Sequence, residues 1–426
     1  MKQCFIRPLS SADATNARCV GPKAANLAAL ARAGLPTPGG FCITADAYWR
    51  QIEHLGVGEL VRQYDEADEP AQRRLAVAIR LKLYQEPLAP DILADAIAAW
   101  GAERKPAAVR SSALIEDRAD ANFAGQFESF LGLNDETEYR TALRACWAAL
   151  WTTTARRVMA QHGQGPAQTA MAVLVQPLVA ARASGGALSE TADGHMLISA
   201  TWGLGSTIGQ GEVVPDRIVL SRQGFVRSNE AGRKHHRETC NHTQGAGTSP
   251  QAVPPALIAA PCLKPGEATA LGRLMRKAEH ALGMPVEIEW ALDDDGFKLL
   301  QARPLHMQAA PVPDEIWLKH PGLNGHPAGI GWGSGRAVVV NCECELTRVA
   351  PGDILVTRVA GPALSHILPR LGGVVAELGG STSHLASLAR ERGIPAVLGV
   401  LDATRRIPDG AQVAVDGVAG VVRWLA

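Results

Sequence analysis

The stretch "GGSTSHLASLARERGIPAVLGV" (379–400) follows a strand-like apolar run and places His384 after a glycine pair, among small hydroxyl residues. Its pattern predicts a helix that is capped by Ser381 or Thr382 and ended by Gly393. His384 then lies in the first turn, where free N–H groups and the helix dipole favour an anion. Neutral imidazole is a nucleophile near neutral pH, so the stretch predicts a histidine that accepts an anionic group. The alternative is a histidine buried in a core.

Composition describes an ordinary globular protein of 426 residues with a formal net charge of zero. About 150 residues per domain predicts two or three domains. The charge balance argues against nucleic acid or an anionic membrane as the main partner. No apolar run is long enough to span a bilayer, and the start lacks a signal-peptide core, so we expect a cytoplasmic protein. The eight cysteines are scattered, which is typical of a reducing compartment, and Cys342 and Cys344 alternate in a strand-like segment, which favours a packing role.

A cluster of potential metal ligands lies in the segment 235–242. It contains His235, His236, Cys240 and His242 within a stretch poor in apolar residues. Zinc uses such side chains, but their spacing matches no standard zinc pattern. A polar loop is therefore the favoured interpretation, and the role of the segment stays open.

The chain changes character twice along its length. Residues 1–305 read as alternating helices and strands, 306–329 are rich in proline and glycine, and 330–426 read as short strands and turns. We therefore predict an α/β (α+β) protein with two domains joined by a linker.

Two segments of the first domain suggest phosphate binding. Lys23 opens a helix directly after Gly21, at a position that suits an anion. Arg110 ends an apolar strand, and the loop that follows includes Gly125 and Gln126. Backbone N–H groups of such a loop can cover phosphates, and the arginine offers a planar pair of donors. Each feature alone is also typical of an ordinary protein surface.

The segment "VEIEWALDDDGFKLLQARPL" (286–305) predicts a hairpin with polar side chains on one face. Glu287 and Glu289 alternate with apolar residues in the first strand, and Gln301 and Arg303 alternate in the second. Oxygen ligands beside an arginine suit a magnesium–triphosphate complex. A structural ion pair between Glu289 and Arg303 is an equally good interpretation.

Together these motifs resemble the dikinases, the family of phosphoenolpyruvate synthase, pyruvate phosphate dikinase and rifampin phosphotransferase. The resemblance rests on six strings that occur in the family's order and cover nearly the whole chain: "GPKAANLAALARAGLPTPGGFCIT", "AVRSSALIEDRADANFAGQ", "VLVQPLVAARASGGALS", "GLGSTIGQGEVVPD", "EIEWALDDDGFKLLQARPL" and "GGSTSHLASLARERGIPAVLGV". It implies an ATP-grasp nucleotide-binding domain followed by a small β/β/α swivelling phosphohistidine domain.

The resemblance also implies roles for individual residues. Contacts to ATP are implied for Lys23, Arg110, Gly125, Gln126, Gln176, Leu178 and Arg303. Magnesium ligands are implied to be Glu289 and Gln301. His384 is implied to take the phosphoryl group, with support from Thr382, Gly380 and Ser383. Thr382 would bond a ring nitrogen or the phosphate, and Gly380 would leave space for the phosphoryl donor.

The implied reaction transfers the β-phosphoryl group of ATP to His384, releases AMP, and passes the γ-phosphoryl group to water or phosphate. The swivelling domain then carries the group to a small-molecule acceptor. Family members usually have a further acceptor domain, which we do not find, so pyruvate does not follow as the acceptor. The alternatives are a separate acceptor-binding subunit, an acceptor held between the two domains, or an ATP-grasp condensing enzyme of biosynthesis. A nucleotide-sensing scaffold is the non-enzymatic alternative. Ser206, Glu287 and Asn122 depart from the Glu, Asp and Ser that are common in the family.

Overall fold

The computed structural model describes residues 4–116, 127, 129–161, 163–240, 247–305, 307, 317, 320, 322–359 and 361–425. The chain forms two compact units, each built from several segments. The first unit is Met1–Ala180 with Cys240–Ser249 and Lys298–Arg303, and the second is Ala181–Thr239 with Pro250–Phe297 and Pro304–Ala426. The domain boundaries predicted at 305 and 330 stay predictions. Within the described part of the chain, no helix is long and apolar enough to cross a bilayer.

The first unit combines helices with one antiparallel sheet. Its helices are α1 (Ala17–Arg32), α2 (Ala45–His54), α3 (Gly58–Glu66), α4 (Glu69–Gln85), α5 (Pro90–Ala102), α6 (Glu136–Ala149) and α7 (Thr153–Gln161), with 3₁₀ helices at Ala12–Thr15 and Pro166–Gln168. Its strands are β1 (Ile6–Pro8), β2 (Phe41–Ile43), β3 (Ala107–Ala113), β4 (Ser129–Leu133) and β5 (Met171–Pro177). The order across the sheet is β1-β2-β5-β3-β4. The apolar run of β5 is buried because this strand occupies the centre of the sheet.

Large aromatic side chains fill the core of this unit. Tyr48, Trp147 and Trp151 are at most 1% exposed. The indole N–H of Trp151 donates to the hydroxyl of Tyr48 at 2.9 Å, and that of Trp147 donates to the carbonyl of Met171 at 3.0 Å. Because both indole donors are satisfied, the rings contribute their apolar area without leaving a buried polar atom unpaired.

The second unit begins with a sheet whose faces carry helices. Its helices in this region are α8 (Ser206–Gly209), α9 (Pro255–Ile258) and α10 (Pro265–Leu282). The strands are β6 (Ala183–Leu188), β7 (Met196–Trp202), β8 (Asp216–Leu220), β9 (Val226–Glu230), β10 (His236–Cys240), β11 (Thr248–Ala252), β12 (Val286–Asp293) and β13 (Gly296–Pro304). One sheet has the order β13-β12-β6-β7-β8-β9, while β10 and β11 form a separate pair.

The C-terminal part of the second unit is a mixed sheet, which we call the histidine module (322–425). Its strands are β14 (Gly322–Asn324), β15 (His326–Pro327), β16 (Trp332–Val340), β17 (Ile354–Thr357), β18 (Gly373–Ala376), β19 (Ala396–Leu398), β20 (Gln412–Asp416) and β21 (Val421–Trp424). Its helices are α11 (His384–Glu391) and α12 (Ala403–Arg406), with 3₁₀ helices at Glu343–Arg348, Pro362–His366 and Leu368–Arg370. The order is β14-β21-β20-β16-β17-β18-β19-β15. Strands β14 and β15 thus begin inside the segment predicted to be a linker.

Both faces of this sheet are covered. Val338 and Leu355 belong to one apolar cluster together with residues of α11, and Val339 and Val356 belong to another on the opposite face. Neighbouring residues along a strand alternate between the two clusters because side chains project to opposite faces. This explains why the parallel strands β16–β19 are almost continuously apolar.

Two local predictions were wrong. The segment 235–242, predicted to be a polar loop, contains strand β10, which pairs with β11, because polar residues are tolerated on half-exposed strands. Cys342 and Cys344 are not in a strand: β16 ends at Val340, and the two sulfur atoms form a disulfide bond between exposed residues. The remaining six cysteines are free.

Candidate active site

A break in α1 positions Lys23. Gly21 has φ = 76°, a conformation that glycine adopts without strain, and Pro22 restarts the helix. A Cβ atom on Gly21 would lie 2.3 Å from the hydroxyl oxygen of Ser112 on β3, so no larger residue fits. That hydroxyl donates to the carbonyl of Val20 at 2.8 Å and accepts from the N–H of Ala24. The start of the helix, with Lys23, is thereby fixed to β3.

Lys23 makes two contacts beside β3. Its Nζ atom donates to the carbonyl of Ser111 at 2.7 Å and lies 3.3 Å from Oε1 of Glu116. The side chains of Lys23 and Glu116 are 11% and 8% exposed, so the ion pair is largely shielded from water. The predicted phosphate ligand is therefore held by a carboxylate in this structure.

Arg110 and Gln301 lie together in the first unit. The guanidinium group of Arg110 donates to the carbonyl of Leu300 at 3.0 Å and to Oε1 of Gln301 at 2.9 Å. Arg303, on the same strand as Gln301, is 9% exposed. Asn26, which sequence reasoning missed, donates to the carbonyl of Ala302 at 3.1 Å. This bond joins the helix of Lys23 to the strand of Gln301 and Arg303.

The segment predicted to lie beside adenine is the end of β5. Gln176 is 3% exposed, and its amide nitrogen donates to the carbonyl of Gly39 at 3.1 Å. The N–H of Leu178 donates to the carbonyl of Pro106 at 2.8 Å. These bonds hold the end of β5 in place, and they do not by themselves identify a bound molecule. Gly125 and Gln126 lie outside the described residues.

His384 is the first residue of α11, as the sequence predicts for the first turn. The N-cap is Ser383, not Ser381 or Thr382, because the Ser383 hydroxyl accepts from the N–H of Ala386 at 3.2 Å. Gly393 follows the helix with φ = 63°. The His384 ring is half-buried, and its Nε2 atom faces α8: a Cβ atom on Gly209 would lie only 2.9 Å from it.

The loop before His384 lies against strand β6. A Cβ atom on Gly186 would lie 2.6 Å from Cβ of Thr382, so only glycine permits this approach. Gly186 pairs with Glu289 in the antiparallel β6–β12 ladder. Directly opposed residues project to the same face, so Glu289 shares the face that Thr382 covers. The hydroxyl of Thr382 is buried and has no hydrogen-bond partner among the described residues, so the predicted bond to a ring nitrogen is not formed.

Gly379 and Gly380, which precede the loop of Thr382, make close contacts with the segment Val213–Pro215. The N–H of Gly379 donates to the carbonyl of Val213 at 3.1 Å. A Cβ atom on Gly380 would lie 2.5 Å from Cγ of Pro215. Close packing against Pro215 thus requires glycine at position 380, in addition to the predicted need for space for a phosphoryl donor.

A buried ion pair anchors the Val213–Pro215 segment. Asp216 and Lys234 are both fully buried, and Nζ of Lys234 donates to the Asp216 carboxylate. That carboxylate also accepts from the N–H groups of Gly232 at 2.8 Å and Cys262 at 2.7 Å. Burial and then the Asp216 charge raise the pKa of the Cys262 thiol. The carboxylate is thus well satisfied, and it fixes Pro215 beneath Gly380.

His326 lies behind the histidine loop. Its Nδ1 atom would be 3.2 Å from a Cβ atom on Gly380 and has no hydrogen-bond partner among the described residues. Burial, followed by the positive charges of Arg217 and Arg233, lowers the pKa of His326 to about 3. This second imidazole is therefore neutral at neutral pH.

The predicted metal ligands suit magnesium as part of a nucleotide complex. Mg²⁺ typically takes one or two protein oxygen ligands and completes its shell with substrate phosphates and water. Glu289 and Gln301 offer such oxygens. Among the residues that the structure describes, no group of three or more His, Cys, Asp and Glu side chains is arranged to hold a metal. In the 235–242 segment, His236 lies 3.2 Å from a carboxylate oxygen of Glu212, and His242 lies outside the described residues.

Comparison with known proteins gives two family matches. Residues 17–316 match the pyruvate phosphate dikinase AMP/ATP-binding domain, and residues 349–420 match the mobile domain of PEP-utilising enzymes. The phosphoenolpyruvate synthase of Aeropyrum pernix is 31% identical over 95% of this chain and 56% of its own length. That of Escherichia coli K12 is 32% identical over 92% of this chain and 53% of its own. The chain thus spans somewhat more than half the length of these relatives.

A solved structure of Enzyme I also matches 18% of this chain and 33% of its own chain, at 31% identity, but its TM-score of 0.18 carries no structural argument. The family matches confirm the predicted α/β (α+β) architecture of an ATP-grasp domain followed by a swivelling phosphohistidine domain. The chain belongs to the family of the pyruvate phosphate dikinase AMP/ATP-binding domain.

Proposed function

We propose that the chain is a dikinase-type phosphotransferase that uses His384 as the intermediate carrier. The bond between the α- and β-phosphates of ATP breaks, AMP leaves, and the β-phosphorus forms a bond with Nε2 of His384. The γ-phosphoryl group passes to water or phosphate. The phosphoryl group on His384 then passes to a small-molecule acceptor, and the imidazole is regenerated.

One observation carries this proposal: Nε2 of His384 faces α8 while Thr382 covers the face of β12 that bears Glu289. The nucleophilic ring therefore lies in the same region as the carboxylate proposed to bind magnesium. The ring is at a helix N-terminus, where N–H groups and the dipole favour a bound phosphoryl group. The hydroxyl of Thr382, for which the described part of the chain offers no partner, is a further donor for the phosphoryl oxygens.

The nucleotide is proposed to be held by the residues that the family resemblance identified. Lys23, Arg110 and Arg303 would bind phosphates, Gln176 and Leu178 would flank adenine, and Gly125 and Gln126 would cover the phosphates. Glu289 and Gln301 would hold Mg²⁺, which when bound neutralises charge that develops on the phosphates. The shielded Lys23–Glu116 pair supports a role for this lysine, because a phosphate can replace the carboxylate as its partner.

The acceptor is proposed to be a small molecule that is reached when the histidine module swings away from the ATP-grasp sheet. The two relatives are named for phosphoenolpyruvate synthesis, and this chain spans 56% and 53% of their lengths. A separate subunit, or the space between the chain's own domains, is proposed to form the acceptor site. We propose a cytoplasmic location, since ATP is consumed.

Labelled ATP tests the function. We expect label from the β position on His384 as an acid-labile, base-stable phosphoprotein, with stoichiometric AMP, and we expect His384→Ala to abolish it. Label from the γ position alone would contradict the dikinase assignment. Formation of AMP without any phosphoprotein would favour the condensing-enzyme alternative. Assays with alcohols, phenols and keto acids, with and without neighbouring gene products, would identify the acceptor class.

A further inference from the structure

A second contact joins helix α11 to strand β12, away from His384. Nη2 of Arg390 and Oγ of Ser387 each lie 3.0 Å from Oε2 of Glu287. The side chains of Arg390 and Glu287 are 5% and 8% exposed, so this ion pair is removed from water. A charged group from the histidine module is thus paired with a carboxylate from the ATP-grasp sheet.

The position of this pair restricts the orientation of α11. Arg390 is six residues after His384, which corresponds to about 9 Å along the helix axis. Glu287 is two residues before Glu289 and on the same face of β12. Helix α11 therefore contacts α8 through His384 at one end and β12 through the Glu287 pair near the other. Two contacts fix both the position and the rotation of the helix.

Arg390 and Glu287 differ in the hydrogen-bond partners that each loses when the histidine module moves away. Arg390 also donates to the carbonyls of Ser381 and Ala328 within the module. These bonds keep the guanidinium paired in either position of the module. Glu287 gains Ser387 and Arg390 only when α11 is in place. Separating a buried ion pair is costly unless the separated charges become hydrated. The Glu287–Arg390 pair therefore favours the arrangement in which α11 is docked against β12.

We propose that Glu287 is a positioning residue that holds α11 in the orientation that presents Nε2 of His384 for phosphorylation. This inference deepens the proposed function and rests on it for the phosphorylation step. Glu287 contacts α11 through Ser387 and Arg390. Its effect is on the fraction of molecules in which the module is docked.

Glu287→Ala and Glu287→Gln test the inference, with Asp294→Asn as the matched control because Asp294 is exposed in the turn after β12. We expect Glu287→Ala to slow single-turnover formation of phospho-His384 at least about tenfold, with the affinity for ATP unchanged. Glu287→Gln retains an acceptor oxygen and should give an intermediate rate. Hydrogen exchange of the α11 amides in the nucleotide-free protein should become faster in the same order.

The two readouts separate this inference from the proposed function. If wild-type protein forms no phosphohistidine but Glu287→Ala accelerates exchange in α11, docking by Glu287 stands and the dikinase function falls. If wild-type protein is phosphorylated and both variants match it in rate and exchange, Glu287 does not position the helix. A fall in the affinity for ATP with an unchanged rate would also overturn the inference, because it would place Glu287 in nucleotide binding.

Discussion

Nε2 of His384 approaches Gly209 so closely that a Cβ atom on this residue would lie 2.9 Å away. Gly209 ends the single turn α8, and the ring begins α11. The glycine that ends this turn thus leaves room for the His384 ring. The contact identifies which ring nitrogen faces the ATP-grasp sheet region.

Gly209→Ala should therefore block the approach of the ring. The added methyl group must displace the imidazole, so we expect phospho-His384 formation to fall at least about 100-fold, because a misplacement of about 1 Å has effects of that size. The affinity for ATP and the free energy of unfolding should change little, since alanine is favourable in a helix. Rapid-quench phosphorylation and urea unfolding provide the measurements. Gly266→Ala is the control, because a Cβ atom there meets nothing within 4 Å, and equal rates in both variants would remove Gly209 from the site.

The buried pair of Asp216 and Lys234 predicts a strong effect on stability. Lys234→Met leaves a buried carboxylate without its cationic partner, and breaking such a pair typically costs about 3–5 kcal/mol. The double variant Asp216→Asn/Lys234→Met removes both charges and should recover much of this loss. Chemical unfolding of the three proteins would measure it. A single variant as stable as wild type would show that the pair does not anchor the Val213–Pro215 segment.

His326 predicts a loss of stability under acid conditions. Its pKa is about 3 in the folded chain, below the ordinary value near 6.5, so the unfolded state binds the proton first as pH falls. The stability that neutral His326 contributes is complete above pH 6.5 and is lost as pH falls towards 3. At pH 5 the loss amounts to about 2 kcal/mol, from 1.36 kcal/mol per pKa unit.

Urea unfolding of wild-type protein and His326→Gln between pH 7 and pH 5 measures this effect. The variant should lose less stability over this range, because its side chain does not titrate. His54→Gln is the control, since it removes an imidazole that is exposed at the end of α2 instead of a buried one. Parallel curves for wild type and His326→Gln would contradict the prediction.

The sequence located the elements that have a strong local pattern. The helix predicted to open after Gly21 is present, because α1 restarts there beyond the glycine. The N-cap of α11 was misplaced by two residues or one, because Ser381, Thr382 and Ser383 are chemically similar caps and only the backbone conformation distinguishes them.

The contacts around His384 could not be predicted because they join distant segments. Gly186 and Gly209 are unremarkable in sequence, and only their proximity to Thr382 and His384 shows why side chains are excluded. Strands β9–β11 were missed since polar, half-exposed strands lack the apolar alternation on which strand prediction depends.

Lys23 provides a test that separates binding from stability. Lys23→Ala should weaken ATP binding about 10- to 100-fold, the range expected for loss of a charge-assisted hydrogen bond to phosphate. It should also reduce stability, because Glu116 then keeps a largely buried charge without the lysine. Lys23→Ala/Glu116→Gln removes that charge and should recover stability while ATP binding stays weak. Calorimetric titration with ATP and urea unfolding of both variants would distinguish the effects. If the double variant recovered ATP affinity along with stability, Lys23 would be a structural partner of Glu116 and not a phosphate ligand.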